Sequence, residues 1–265
     1  MSLDDLIGLL IFGTYGTFML LEAVFPARKY PQSKLWRLQG WAFLIAMAVV
    51  ATFTPLLLPS AWLAEHRLID GSGLGVALGT VVGYAVFSFV GYVWHRSVHR
   101  FQFLWRTFHQ LHHAPQRLDM AGAAVFHPLE IAVYVVLTTL TTTLVLGLRP
   151  EAAALTGFVA QFYSFFQHLN VKTPRILGYV IQRPEGHFVH HQRDVHAYNY
   201  GDFPLWDILF GTFRNPADFG TEEVGFARPA DRRYASMLLT RDVSDAIGTR
   251  VESRAPLRQT SPATS

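Results

Sequence analysis

The chain has 265 residues, a formal net charge of +3 and no cysteine; 51% of its residues are hydrophobic and only 15% charged. A soluble domain carries about 25% charged residues, so the expected solvent is a bilayer. The absence of cysteine excludes disulfides, thiolate zinc sites, iron–sulfur clusters and a cysteine nucleophile.

Five stretches have the roughly 20 mainly apolar residues that a membrane span requires. They run over about 6–24, 38–58, 74–94, 129–148 and 152–168. The first is read as a retained helix and not a secretory signal, because Asp4 and Asp5 precede it and no small-residue cleavage site follows. The last two are separated only by Arg149, Pro150 and Glu151, which predicts a tight helical hairpin with Pro150 at a helix start. Gly75, Gly79 and Gly83 recur at four-residue spacing in the third. Such a stripe is expected to seat a helix of the same chain in preference to a second copy, and it leaves the oligomeric state open.

Basic residues divide sharply between the two sides. Arg28, Lys29, Lys34 and Arg37 follow the first span, Arg96, Arg100, Arg106 and Arg117 follow the third, and twelve more follow the fifth, against only Arg67 and Arg149 opposite. Positive residues stay in the cytoplasm, which predicts an N-out, C-in topology. The same pattern accounts for the basic balance without nucleic acid. The expected architecture is all-α: one integral-membrane helical bundle over 1–252, with a cytosolic histidine-rich helical cap formed mainly by 95–128 and 168–235. The tail 253–265, rich in Ser, Thr and Pro, has little to bury and is expected to be disordered.

This topology, built without reference to histidine, puts His95, His99, His109, His112, His113, His168, His187, His190 and His191 on one membrane face. His95 and His99 are four apart, hence neighbours on a helix. His109, His112 and His113 form H-x-x-H-H, and His187, His190 and His191 repeat it. At 3.6 residues per turn the last two rings of such a triplet diverge about the first, so one triplet reaches two adjacent metals. His168 ends the fifth span. Nine imidazoles are too many for one ion and suit two, and since imidazole binds iron, zinc, copper or nickel the element stays open. The remaining histidines have plainer readings. His66 is an outer-loop residue beside Glu65 and Arg67; His127, before Pro128 and Glu130, is a helix cap or a hydrogen-bond partner behind the ligands; His196 is left open. The first triplet lacks the glutamate of H-E-x-x-H, which removes the zinc-protease reading.

The set H-x-x-x-H, H-x-x-H-H, H-x-x-H-H resembles the fatty acid hydroxylase and sterol desaturase superfamily. The flanks match as well: His127-Pro128-Leu129-Glu130, Phe166-Gln167-His168-Leu169-Asn170, Asn199-Tyr200-Gly201, and the closing Trp206-Asp207-Ile208-Leu209-Phe210-Gly211-Thr212. The resemblance covers about 76–216. It implies a helical membrane bundle under a cytosolic cap, two iron ions, dioxygen and a lipid substrate that is hydroxylated or desaturated. It carries metal ligation onto His95, His99, His109, His112, His113, His168, His187, His190 and His191. His196 and Asn199 are candidates for an additional or water-mediated contact, and Trp206 and Asp207 for an interfacial anchor and an acceptor behind the ligands. Tyr92 stands three residues before His95, where many relatives carry an acid.

The chain has no flavin or nicotinamide fingerprint, so electrons are expected from a ferredoxin- or cytochrome-type donor on the basic cytoplasmic face. The segment 172–181 mixes basic and apolar residues and reads either as an interfacial flank of a substrate entrance or as a plain connection. Two competing readings are a zinc-binding membrane protein that handles metal without redox chemistry, zinc also being a substitute for iron in purified protein, and an inactive structural protein. The near absence of charge within the spans argues against the first, and the intact ligand set against the second. Substrate identity is not encoded legibly.

Overall fold

The structure, a computed structural model, describes residues 1–31, 35–195, 197–227 and 232–244. The tail expected to be disordered and His196 both lie outside the described residues.

The elements follow from local chemistry. Helix α1 (Leu3–Val24) starts at a reciprocal cap in which the Ser2 hydroxyl accepts from Asp5 N and the Asp5 carboxylate accepts from Ser2 N. Next come α2 (Trp36–Phe53), the short α3 (Ser60–Glu65) and the long α4 (Gly75–Arg100), which carries His95 and His99 in its last turns. The connection onward holds α5 (Gln102–Leu104), α6 (Gln110–His113) and α7 (Met120–Ala123), the last capped by the Asp119 carboxylate. Proline opens α8 (Pro128–Thr139), α9 (Pro150–Gln167) and α10 (Pro184–His191), where its missing N–H costs nothing. Helices α11 (Leu205–Leu209) and α12 (Tyr234–Leu238) complete the set. Among the described residues no strand occurs; one isolated antiparallel bridge joins Gln192 to Val224.

Four helical segments are long and apolar enough to cross a membrane: Asp5–Val24, Trp36–Leu57, Ser72–Arg100 and Pro128–Val145. The fifth expected span does form a helix, α9, but Glu151, Gln161 and Gln167 dilute its apolar character and it falls outside that set.

Helix α9 is the central post. Its Ala152 and Thr156 meet the glycine face of α4: a Cβ on Gly79 would lie 3.0 Å from the Ala152 methyl, and one on Gly83 only 2.5 Å from Thr156 Oγ1. The glycine stripe therefore serves packing within the chain, as expected, though Gly75, with φ +68 and nothing within 4 Å, marks the helix start instead. Aromatic edges hold α1 on α9, with Tyr15 against Phe165 at 5.4 Å and Phe18 against Phe162 at 5.5 Å. One apolar core runs unbroken from Tyr15, Leu44 and Met47 of the long helices to Trp105, Leu111 and Met120 of the histidine-bearing connections. The cap is thus built on the bundle and not suspended from it.

Candidate metal centre

The nine histidines collect at the C-terminal ends of α4 and α9, where α6 and α10 cross them. All nine are at most 7% exposed. They form two adjoining groups: His95, His99, His109, His113 and His190 in one, and His112, His168, His187 and His191 in the other, with the ligand atoms of each group within 4.8 Å of one another. His113 and His191 stack at 4.0 Å where the groups touch.

Each triplet serves both groups. His109, just before α6, and His113 within it enter the first and His112 of α6 the second; in α10, His187 and His191 enter the second and His190 the first. Helical geometry causes this, because residues four apart are offset by about 40° while the residue three along lies about 60° the other way. The turn before α6 is widened, with Gln110 N reaching back to Trp105 O, and it rolls His109 into line with His95.

The outer ring nitrogens are fixed by acceptors. His95 Nδ1 donates to Tyr200 O at 2.7 Å, His168 Nδ1 to Ser164 O at 2.6 Å, His190 Nδ1 to Tyr198 O at 2.8 Å and His112 Nδ1 to Val125 O at 3.3 Å. His109 Nδ1 meets Glu130 Oε1 at 2.6 Å. A carbonyl can only accept, so His95, His112, His168 and His190, as neutral rings, carry their proton on Nδ1 and present a bare lone pair at Nε2. The lone pairs of His112 and His168 face each other at 3.0 Å, and that of His95 faces His109 Nε2 at 2.9 Å. Lone pair against lone pair is repulsive, and a cation between them reverses the sign. The donor set therefore fits two metal ions that accept imidazole.

Burial, then the neighbouring imidazoles, hold His112, His113, His187 and His191 well below the ordinary histidine range. They are neutral near pH 7, the form that ligates. Aromatic walls close the site: Phe126 stacks on His112 at 4.0 Å, and Trp105 lies within 5.9 Å of His99, His109 and His113.

The other sequence candidates lie around this core. His127 caps α8 by accepting from Leu129 N, and its Nε2 reaches Leu238 O; it belongs to neither group. Asn199 is 1% exposed and spends its amide on Gly186 O, Arg214 O and Arg214 N, which ties the start of α10 to 198–214. Asp207 accepts from Tyr200 N, Gly201 N and Thr212 Oγ1, clamping the loop whose Tyr200 carbonyl holds His95. Trp206 donates to Ser88 Oγ on α4. Tyr92 bonds Thr212 Oγ1 and accepts from Arg96, so it ties α4 to the same closing motif and leaves His95 to Tyr200.

Two contributors went unassigned in the sequence reading. Glu130 was only a motif flank, yet it is fully buried and grips His109; a carboxylate one turn into an otherwise uncharged span was the available signal. The Tyr200 carbonyl carries no side-chain signal at all.

A helical chain with four membrane-length apolar helices and two adjoining polyhistidine groups defines a membrane protein of the histidine-box class. The fatty acid hydroxylase family model matches residues 80–212, half of the chain and the region of the centre, and the protein belongs to that family. Among curated relatives, it is similar to the ornithine lipid hydroxylase OlsE of Rhizobium tropici, 29% identical over 203 residues, covering 75% of this chain and 58% of the relative. It is also similar to sphinganine C4-monooxygenase 1 of Arabidopsis thaliana, 27% identical over 143 residues (52% of this chain, 55% of the relative). A cholesterol 25-hydroxylase-like protein of Danio rerio is 26% identical over 215 residues, covering 74% and 83%. The chain spans just over half the length of the first of these relatives. No solved structure matches at a significant level.

Proposed function

We propose that the protein is an integral-membrane, two-iron oxygenase that hydroxylates or desaturates a lipid at a C–H bond, with its metal centre on the cytoplasmic face. The observation that carries the reading is the close facing of histidine Nε2 atoms in two adjoining groups. His95, His99, His109, His113 and His190 would hold one ion, and His112, His168, His187 and His191 the other. Iron held there supplies dioxygen activation once reduced. The chain's own part is to fix each ring through its Nδ1 contact, to keep water out with Trp105 and Phe126, and to admit a lipid tail from the side.

Exposed apolar residues on the cap suit that admission. Ile176, Tyr179, Val180, Leu209 and Phe210 are all exposed, and Tyr179 meets Phe213, just past the closing motif, at 5.8 Å. The relatives act, by name, on an ornithine lipid, on sphinganine and on a sterol, and we take the substrate here to be a membrane lipid of that broad kind. Electrons come from a ferredoxin- or cytochrome-type donor on the basic face, since the sequence holds no flavin, nicotinamide or cluster motif.

Metal analysis of the protein in detergent tests the reading. Wild type is expected to hold two irons per chain, His95→Ala and His168→Ala about one each, and His112→Ala/His190→Ala none or nearly none. Zinc alone, even after iron-supplemented expression at low oxygen, would overturn the oxygenase in favour of a metal-handling protein. Donor-dependent NAD(P)H turnover is the second arm; full turnover without donor would remove the donor.

A further inference from the structure

A cavity of about 580 Å³ lies beside the histidine core and shares no histidine with it. Its walls come from residues 28–31 between α1 and α2, from the segments that follow each H-x-x-H-H triplet, and from residues 222–224, Ala227, Arg232 and Tyr234. Five cations line it (Arg28, Lys29, Arg117, Arg193 and Arg232) against the two carboxylates Glu222 and Glu223, a balance of three positive charges.

The cations are placed before any ligand arrives. The Arg117 guanidinium lies 5.2 Å over the Tyr30 ring and 5.3 Å over the Trp36 ring, is paired with Asp119 through Nε, and donates Nη1 to Pro31 O. Its Nη2 bonds nothing among the described residues. Arg28 sits 4.6 Å over Phe188 and donates to Gly220 O and Glu222 O. Lys29 is exposed at the rim, and its Nζ has no partner among the described residues. Arg193 is paired with Glu223 and Arg117 with Asp119; Glu222 is the other acid in the lining. A planar guanidinium held on aromatic faces keeps its remaining N–H groups aimed, the arrangement that recognises phosphate oxygens. Trp36 is the first residue of α2, so the cavity opens at the depth where a membrane helix leaves the bilayer, the level of lipid headgroups.

We propose that this cavity is an anion site for a phosphate-bearing group, either a phospholipid headgroup or a free phosphate ester. A bound phosphate would bridge Lys29 and Arg28 on the α1–α2 loop to Arg117 behind the first triplet, and so staple the bundle to the metal-bearing segments. The assignment does not depend on the oxygenase reading.

The full chain in maltoside micelles, which carry no phosphate, tests it by thermal unfolding. One arm adds glycerol 3-phosphate; the other adds phosphatidylglycerol to the micelles. Stabilisation in the first arm identifies a free ester as ligand, and stabilisation in the second alone identifies a headgroup. At about 1 kcal/mol for each interfacial cation, Lys29→Ala/Arg232→Ala is expected to weaken apparent affinity about thirtyfold. Lys172→Ala, whose ammonium pairs with Asp218 on the cap, leaves it unchanged. No response of wild type in either arm, or an unaltered response of the double variant, overturns the proposal. If the double variant loses only donor-driven turnover and no anion stabilises wild type, the cavity is a docking face for the donor protein and the anion site is refuted.

Discussion

A neutral imidazole offers one lone pair, and whatever its other nitrogen touches decides which atom offers it. That rule makes the partners of Nδ1 as informative as the ligands. Glu130 is the one carboxylate in the centre, bonded to His109 at 2.6 Å. Glu130→Gln keeps shape and an acceptor oxygen but removes the carboxyl that His109 Nδ1 meets. It is expected to weaken metal binding in the His109 group about tenfold while the other group stays filled; titration with a metal chelator measures this. Asn199→Ala should behave in the opposite way. It strands Gly186 O, Arg214 O and Arg214 N in a buried place, and it puts alanine at φ 49. The cost is expected to be about 1–3 kcal/mol of stability with metal content unchanged; loss of a metal without loss of stability would make Asn199 a ligand after all. The gathering of the histidines was legible in the sequence because their spacing is a helical property. The Tyr200, Ser164 and Val125 carbonyls were not, because every residue has a carbonyl and only the fold chooses among them.

Among the elements, the contact of α4 with α9 sets the distance between His95 and His99 on one helix and His168 on the other. Gly83→Leu drives a side chain into Thr156 and Leu148, where a Cβ already falls at 2.5 and 2.9 Å. Overpacking of this kind costs about 1–3 kcal/mol, and here it also pries the two ligand-bearing ends apart. We expect lower thermal stability together with substoichiometric metal, against Gly91→Leu as a control with nothing within 4 Å of its Cβ. The helices themselves were readable from hydropathy, and the glycine stripe from its period. The shortfall of α9 is instructive. Its sequence is apolar enough to look like a span, but Tyr15, Phe18 and the α4 glycines cover its apolar faces, and the buried Gln167 donates to Asp202 Oδ1 where an exposed span would meet lipid. The widened turn over Trp105–His109 left no trace in the sequence, since nothing in its composition asks for an extra residue.

For the molecule as a whole, the buried histidines couple stability to pH. Burial and neighbouring rings depress His112, His113, His187 and His191 below the ordinary value of 6.5. Below that value the unfolded chain takes up protons that the folded, metal-free chain refuses, so the unfolded state binds more protons and stability falls as pH falls. Chelator-treated protein is expected to lose melting temperature steadily from about pH 7 downward, and metal to suppress the loss by keeping the rings occupied. A flat profile for the metal-free protein would mean that the rings are already charged or exposed. The all-helical class and the clustering of nine histidines were legible at this scale. The division into two groups was not, because it depends on how α6 and α10 cross.

That crossing has a consequence for ancestry and for engineering. Because α6 and α10 each contribute to both groups, neither metal position is a module. Exchanging the stretch that holds His187, His190 and His191 for that of a distant homologue would import part of both positions at once, and deleting a single residue inside either helix would scramble both. An insertion, a deletion or a segment exchange in these helices could therefore not alter one group while sparing its neighbour. Point substitution can, because each histidine belongs to a single group, and divergence between the two positions should be sought in single ligand changes.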